Sequence, residues 1–296
     1  MPFTSFLDYL NLEKNYSKHT LIAYHKDLLG FREFALSEFD FSEVNNVSYA
    51  IIRSWIVKLV GDGVSNRTIN RKISSLRTYY KFLLKIGDIE VSPLVKHKVL
   101  KTAKKLQVPF SEKEIEDVLE ILKGEDSFIG LRNKLIVELF YSTGMRRGEL
   151  VNLKLNDISD SQKTIKVLGK RNKERLIPLL PSALITIASY LGYRKDLSSV
   201  KDVDFLLLTE KGTKIYETLV YRVINNYFSK ASEKVKKSPH ILRHSFATHL
   251  LNEGADIKSV KELLGHSSLA STQIYANNSI SKLKQVYKNT HPRNSK

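Results

Sequence analysis

Two short blocks of the sequence place an arginine beside a strong structural signal. The block TGMRRGEL ends a predicted helix at Gly144 and places Arg146 at the start of the next, where free backbone N–H groups also favour anions. Glu149, three residues later, can hold the Arg146 guanidinium. The block HILRHSFATHL places His240 and Arg243 three residues apart, on nearly the same face of a helix. Two guanidiniums of this kind can clamp the non-bridging oxygens of a phosphate.

Three further residues supply the groups that phosphoryl transfer needs. Lys170 lies in the polar turn GKRNK, where a flexible ammonium can deliver a proton. His266 follows Gly265, which ends a predicted helix, and Tyr275 comes nine residues after His266, on a predicted short helix. A hydroxyl nucleophile must lose a proton and the departing oxygen must gain one, which are tasks for histidine and lysine. We therefore expect Tyr275 as the nucleophile, with His240 and Lys170 as proton-transfer groups.

Each block also has an ordinary structural interpretation when it is taken alone. Arg146 and Glu149 could form an exposed ion pair at a helix start, and most polar turns have no catalytic role. A zinc site at His240 and His244 lacks the glutamate of the H-E-x-x-H pattern, and the chain contains no cysteine. The sequence also lacks the G-x-x-x-x-G-K-[ST] loop of nucleotide-binding proteins. We expect neither a metal nor ATP to take part.

The charge balance indicates a polyanionic partner. The chain has 48 Lys and Arg against 31 Asp and Glu, a formal net charge of +17, and a pI of about 9.7. Residues 1–105 carry +7 of this excess and the remainder carries +10. A positive excess in both parts of the chain is consistent with two domains that bind one nucleic acid. A basic surface without such a partner would give the same net charges. No apolar run is long enough for a membrane span and no targeting segment is recognised, so we expect no membrane association and a cytoplasmic location.

Residues 1–87 are predicted to form an all-helical domain. Apolar residues recur at helical spacing in three segments, the first of which has Ser17 as a predicted N-cap, and the third ends at Gly87. The third helix carries polar residues that we expect to contact DNA, although a solvated helix face would look the same. These residues are Arg67, Arg71, Arg77 and Thr78.

Residues 88–110 are predicted to be a basic linker between domains. Pro93 and Pro109 bracket a run of lysines with few apolar residues among them. Such a segment suits a strap along a phosphate backbone, and a solvated linker would look similar. Lys101, Lys104 and Lys105 are the residues of this segment that we expect to bind DNA.

The second domain is predicted to span residues 111–296. Ser111 and Glu114 form a capping-box pattern that opens its first helix. The segments 163–168 and 174–180 predict a β-hairpin, and the chain then returns to helical patterns, with Gly254 and Gly265 as stops and Asp256 as an N-cap. The fold class is therefore mainly α with a small β-sheet, in two domains.

The order Arg, Lys, H-x-x-R, His, Tyr, with these spacings, closely resembles the tyrosine recombinase (phage integrase) family, and within it the bacterial Xer recombinases. The resemblance covers nearly the whole chain and implies a helical, SAM-like core-binding domain and an α+β catalytic domain that together clamp DNA. It implies that Arg146 and Arg243 bind the scissile phosphate, that Lys170 acts as general acid toward the 5′ hydroxyl and that His240 assists the tyrosine. It also implies that His266 hydrogen-bonds the phosphate and that Tyr275 forms a 3′-phosphotyrosyl link.

The resemblance further implies an assembly and a biological role. Four protomers, identical or of two kinds, would exchange strands between two duplexes through a Holliday junction at an inverted-repeat core site. The C-terminal segment would pack into a neighbour, and a septal DNA translocase could activate the assembly. No arm-type domain is expected before residue 1, which favours a Xer-like enzyme over the large phage integrases. The role that we expect is chromosome or plasmid dimer resolution. The alternatives are a mobile-element integrase or transposase of the same family, a type IB-like topoisomerase and a non-catalytic DNA-binding protein.

Overall fold

The chain folds into two compact units, residues 1–105 and residues 106–296. A computed structural model describes residues 3–41, 43–103, 107–169, 173–265 and residue 290. Each unit is helical over most of its described residues, and the described β-sheet belongs to the second unit. The predicted class, mainly α with a small sheet, is confirmed.

The first unit is built from helices whose ends follow the predicted signals. Ser17 caps α2 by accepting a hydrogen bond from the backbone N–H of Thr20, and Gly87 ends α4 with a φ of 77°. Both of these predicted signals are confirmed. The helical elements of this unit are α1 (Thr4–Asp8), a π-helical turn (Tyr9–Glu13), α2 (Lys18–Phe39), α3 (Tyr49–Gly61) and α4 (Asn66–Ile86).

The core of the first unit forms where the apolar stripes of α2, α3 and α4 meet. Phe31 of α2 packs against Trp55 of α3, with ring centroids 5.1 Å apart. Tyr80 of α4 is fully buried, and its hydroxyl donates a hydrogen bond to the carbonyl of Val44 at 2.8 Å. The polar tip of this large aromatic side chain is therefore satisfied inside the core.

The first part of the segment predicted to be a linker is packed on the first unit. Ile89 and Leu94 are buried in its core. Asn70 of α4 pairs with the backbone of Leu100 in both directions, through its Nδ2 to the carbonyl at 2.8 Å and its Oδ1 to the N–H at 2.9 Å. Two buried apolar side chains and the hydrogen bonds of one amide bind this segment to the first unit. Residues 89–101 therefore differ from a solvated linker.

The second unit contains a three-stranded antiparallel sheet and a group of helices. The β2–β3 hairpin is the predicted one, with Ile165 opposite Ile177 and Val167 opposite Arg175. A short 3₁₀ turn (Leu155–Asp157) precedes the sheet. The strands are β1 (Ile158–Ser159), β2 (Thr164–Leu168) and β3 (Glu174–Pro178), and the helices are α5 (Glu112–Lys123), α6 (Phe128–Thr143), α7 (Arg147–Val151), α8 (Pro181–Lys195), α9 (Glu217–Ala231), α10 (Pro239–Asn252) and α11 (Ile257–Leu264).

Helix α6 lies at the centre of the second unit, where it packs against α5, α8, α9 and α10. The predicted capping box of Ser111 and Glu114 is present at the start of α5. Ser245 of α10 links this helix to Phe110, which lies just before α5. The Ser245 Oγ accepts from the Phe110 N–H at 2.8 Å and donates to the Ile241 carbonyl at 2.9 Å. The helix that carries His240 and Arg243 is thus firmly held in the core.

Candidate phosphate-binding site

Arg146 is placed by a sharp turn between two helices. Helix α6 ends at Gly144, which has a φ of 58°, and Arg146 then occupies the N-cap of α7. The Glu149 carboxylate accepts the Arg146 backbone N–H at 2.7 Å and its Nη1 at 2.7 Å. Nη2 donates to the carbonyl of Gly265 at 3.1 Å. The guanidinium is therefore fixed, while 38% of its side chain stays exposed.

Arg243 is the second arginine of the site, and like Arg146 it donates to a carbonyl at the end of α11. It lies on α10, is 7% exposed, and donates to the carbonyls of Gly144 and Leu264, the latter at 2.7 Å. Burial, and then the neighbouring charge of Arg146, lower the pKa of Arg243 to about 10. The side chain is still a cation at neutral pH, and it is held beside the turn that positions Arg146.

A third arginine, Arg175 on β3, completes the cluster. Its Nη1 and Nη2 donate to the two carboxylate oxygens of Glu149 at 3.1 and 2.7 Å, and its Nε donates to the Leu263 carbonyl at 2.9 Å. Burial by itself raises the pKa of Glu149, but the hydrogen bonds from Arg175 and Arg146 outweigh it and hold the pKa at about 2. Glu149 is thus fully ionised at neutral pH.

Arg175 is a residue of the site that the sequence pattern does not predict. In the strand ERLIP a charged residue reads as an ordinary solvent-facing position. The contact with Glu149 arises only when the hairpin packs against α7. A usable signal would have been that Val167, which pairs with Arg175, is apolar, so that Arg175 stands on the buried side of the hairpin.

The three arginines meet at the C-terminal end of α11. The last carbonyls of a helix have no partner within it, and they carry partial negative charge. Here three consecutive carbonyls, those of Leu263, Leu264 and Gly265, accept from three guanidiniums on three different elements. We call Arg146, Glu149, Arg175 and Arg243 the arginine cluster. Three cations and one carboxylate give it a formal charge of two positive units.

His240 lies in the first turn of α10, one helical turn before Arg243, and is exposed. Although the side chain is exposed overall, partial desolvation of the ring lowers the pKa of His240 below the ordinary 6.5, and the charges of Arg243, Lys236 and His244 lower it further. A neutral imidazole is therefore favoured at neutral pH, and a neutral imidazole can accept a proton.

Lys170, His266 and Tyr275 lie outside the described residues, and so do Lys104 and Lys105. The residues that precede two of them in the chain are described and lie against Arg175. A Cβ at Gly265, which has a φ of 62°, would come within 3.0 Å of Arg175 Nη1, and one at Gly169 would come within 3.3 Å of the same atom. The chain thus passes the arginine cluster just before Lys170 and just before His266.

The residues of α4 that were predicted to contact DNA differ in their surroundings. Arg67 is exposed. Arg71 forms a two-point ion pair with the buried carboxylate of Asp27, and 48% of its side chain is exposed. Arg77 donates to the His97 carbonyl at 3.5 Å, and Thr78 donates to the Ser74 carbonyl at 2.9 Å.

Lys101 is exposed, and its backbone carbonyl accepts a hydrogen bond from Asn66 Nδ2 at 2.9 Å. The backbone here is tied to the first turn of α4 while the lysine side chain faces solvent. Among the described residues, no group of three or more His, Cys, Asp or Glu side chains could hold a metal ion. None of the described helices is both long and apolar enough to cross a bilayer.

The sequence matches two family models. The model described as the phage integrase family covers residues 110–282, and the model described as the phage integrase N-terminal SAM-like domain covers residues 3–87. These two matches correspond to the two compact units.

Individual relatives match over nearly the whole chain. The tyrosine recombinase XerC of Oceanobacillus iheyensis is 39% identical over 292 residues, which is 98% of this chain and 95% of the relative. The tyrosine recombinase XerC of Halalkalibacterium halodurans is 38% identical over 295 residues, 98% of this chain and 97% of the relative. A crystal structure of the XerH site-specific recombinase bound to its difH substrate, a pre-cleavage complex, is similar with a TM-score of 0.69 and 25% identity over 96% of this chain and 80% of that one.

Proposed function

Because the chain belongs to the phage integrase family of tyrosine-type site-specific DNA recombinases, we propose that Tyr275 cleaves DNA by attacking a phosphate held between Arg146 and Arg243. The observation that carries the proposal is the meeting of these two arginines, from α7 and α10, around the end of α11. The arginine cluster carries two positive charges in excess. Within it Arg146 is partly exposed and Arg243 is buried.

The arginines would stabilise the charge that develops during attack. A phosphodiester carries one negative charge, and in-line attack concentrates further negative charge on its non-bridging oxygens. Guanidiniums bind such oxygens in pairs of parallel hydrogen bonds. Since Arg146 and Arg243 are already fixed by carbonyl and carboxylate partners, little reorganisation is needed when the phosphate arrives.

The bonds and protons of the proposed step balance within this residue set. The Tyr275 Oη forms a bond to phosphorus while the bond from phosphorus to the 5′ oxygen breaks, which leaves a 3′-phosphotyrosyl link and a free 5′ hydroxyl. His240, with its lowered pKa, is suited to assist removal of the tyrosine proton. We propose that Lys170 delivers a proton to the 5′ oxygen and that His266 donates a hydrogen bond to the phosphate. The new ester conserves the energy of the broken bond, so we infer that strand joining needs neither ATP nor a metal.

The family and the relatives support the substrate and the assembly that we propose. We infer that the helical first unit and the catalytic second unit together hold double-stranded DNA, because both carry a positive excess. The similarity to XerH, solved with its difH substrate, supports this. We further propose that the DNA carries an inverted-repeat core site. Four protomers would bind two such duplexes and exchange their strands through a Holliday junction.

The role that we propose is resolution of chromosome or plasmid dimers. It is supported by XerC relatives at 38–39% identity that cover nearly the whole chain. We infer a cytoplasmic location because the proposed substrate is the chromosome, and we propose a septal DNA translocase as the activating partner.

A trapping experiment with Tyr275→Phe tests the function. The probe is a duplex that the wild-type protein selects from a pool of randomised inverted repeats, with a nick beside the cleavage position so that the cut fragment diffuses away. We expect the wild type to accumulate a covalent protein–DNA complex on a denaturing gel, and the variant to bind equally well without accumulating it. Tyr216→Phe, which changes an exposed tyrosine hydroxyl bonded to Arg222, is the matched control. A covalent complex formed by Tyr275→Phe would contradict the assignment of the nucleophile.

A further inference from the structure

Arg175 is the member of the arginine cluster whose hydrogen-bonding groups are the most fully occupied. All three of its guanidinium nitrogens donate, two to the Glu149 carboxylate and one to the Leu263 carbonyl, and 12% of its side chain is exposed. Both of its Nη atoms are directed to the Glu149 carboxylate, whereas Arg146 gives only Nη1 to that carboxylate and Arg243 gives both Nη atoms to backbone carbonyls. The partners of Arg175 therefore differ from those of Arg146 and Arg243.

The first consequence of these contacts is electrostatic. Glu149 bonds Arg146 through both the backbone N–H and Nη1, so the two side chains alone would form a neutral pair. An uncompensated carboxylate beside Arg146 would repel the phosphate that this arginine is to bind. Arg175 contacts both oxygens of the same carboxylate and returns one positive charge to the site. Interactions of this kind are strong because Glu149 is buried.

The second consequence is positional. The Nε of Arg175 holds the Leu263 carbonyl in the last turn of α11, and its guanidinium lies beside the Cα of Gly265. Gly265 has a positive φ and no Cβ, and these two properties allow the chain to pass this close to the arginine. One side chain thus touches both the carboxylate that orients Arg146 and the segment that leads to His266.

We propose that Arg175 is a positioning residue for DNA cleavage: it neutralises Glu149 so that Arg146 stays available to the phosphate, and it fixes the end of α11. The proposal rests on the proposed function, in which Arg146 and Arg243 hold the scissile phosphate. Arg175 acts through Glu149 and Arg146 and does not itself contact the DNA.

The test compares Arg175→Gln, Arg175→Lys and the double variant Glu149→Gln with Arg175→Gln, on the nicked duplex described above. We expect Arg175→Gln to slow covalent-complex formation at saturating DNA by on the order of a hundredfold. Its dissociation constant for the duplex should change far less, because affinity is spread over many phosphate contacts. Arg175→Lys keeps the charge but loses the fork of donors, so its rate should lie between those of Arg175→Gln and the wild type.

The double variant separates the charge effect from a purely structural one. If Arg175 acts by neutralising Glu149, removing the carboxylate charge should raise the cleavage rate of Arg175→Gln. Arg194→Gln is the matched control, since Arg194 is also a buried arginine and donates to two backbone carbonyls, those of Val203 and Phe205, at 2.7 and 3.1 Å. We expect Arg194→Gln to lower the thermal midpoint while the folded fraction cleaves at the wild-type rate.

The outcomes distinguish this inference from the proposed function. A wild type that never forms the covalent complex overturns the proposed function itself. A wild type that forms it together with an Arg175→Gln variant of equal rate overturns only the inference. A slow Arg175→Gln that is not accelerated by Glu149→Gln also overturns the charge mechanism. If Arg175→Gln fails to fold, the rate of Arg175→Lys decides, and a wild-type rate for it rejects the need for the forked contacts.

Discussion

Glu149 is one carboxylate shared by two guanidiniums and a backbone N–H, and its low pKa has a consequence for stability. Hydrogen bonds that favour the ionised form lower the pKa from the ordinary 4.5 to about 2. A carboxylate whose pKa is lower in the folded state stabilises the fold above its unfolded pKa. That stabilisation is lost as the pH falls from about 5 toward the folded pKa of about 2.

We predict that urea unfolding of the wild type will show a free energy of unfolding that falls steeply over this acidic range. In Glu149→Gln the slope should be smaller, because one group that takes up a proton on unfolding is missing. Glu120→Gln is the control, since Glu120 forms an exposed ion pair with Lys123 that solvent screens. Equal slopes for the wild type and Glu149→Gln would rule out the low pKa of Glu149.

At the residue scale the sequence predicts part of the site. The spacing of three between Arg146 and Glu149 was enough to foresee their contact as a possibility, because residues three apart on a helix are neighbours. The meeting of Arg175 with Glu149 joins residues 26 apart and depends on how a hairpin packs on a helix. The alternation of the hairpin can indicate that Arg175 faces the buried side, but it does not identify Glu149 as the partner.

The turn between α6 and α7 shows how an element boundary positions chemistry. Gly144 has a φ of 58°, its carbonyl accepts from Arg243, and a Cβ at this position would lie 2.3 Å from the Phe246 ring. Both the backbone conformation and the packing therefore require glycine here. The same turn delivers Arg146 to the start of α7.

We predict that Gly144→Ala lowers the free energy of unfolding by about 1–3 kcal/mol, because the new methyl group overpacks the core and strains the backbone. Cleavage should fall as well, since Arg243 loses one of its two carbonyl partners when the turn shifts. Gly192→Ala in α8 is the control, because nothing lies within 4 Å of its Cβ position. It should be neutral or stabilising by about 0.5–1 kcal/mol. Thermal unfolding and the covalent trap measure both effects, and a Gly144→Ala variant as stable as the wild type would contradict this account.

The sequence predicts those elements whose ends carry a local chemical signal, and it does not predict contacts between distant residues. Ser17, Ser111 and Asp256 mark helix starts through hydrogen bonds within three or four residues, and these bonds are present. The packing of residues 89–101 on the first unit was not foreseen. It depends on Asn70, 30 residues from its partner Leu100, and on two apolar side chains in an otherwise basic stretch.

At the scale of the whole molecule the positive excess is divided between the two units, +7 in residues 1–105 and +10 in the remainder. Binding to a phosphate backbone releases counterions, so affinity falls with salt in proportion to the number of contacts. Lys101 sits where the backbone is tied to α4 and the side chain is exposed. This geometry suits a lysine that follows a phosphate backbone.

We predict that replacing Lys101, Lys104 and Lys105 together by glutamine weakens binding to all DNA sequences alike. The slope of log affinity against log salt should become shallower by about 0.9 for each phosphate contact that is lost. Replacing three other exposed lysines, Lys58, Lys123 and Lys195, is the control for a general loss of charge. Equal slopes in the wild type and the first triple variant would remove these three lysines from the interface.

The end of α11 also limits how this protein can evolve. The helix is fixed at its start by the Asp256 side chain, which accepts from the Ser259 N–H at 2.9 Å, and at its end by three arginines on three consecutive carbonyls. Deleting one residue between them would rotate one end relative to the other by about 100° and shorten the helix by about 1.5 Å, so the carbonyls would no longer face their donors. Substitutions on the exposed face, such as at Lys258 or Lys261, leave this register intact. Among descendants of this gene we therefore expect α11 to vary in sequence but to keep its length.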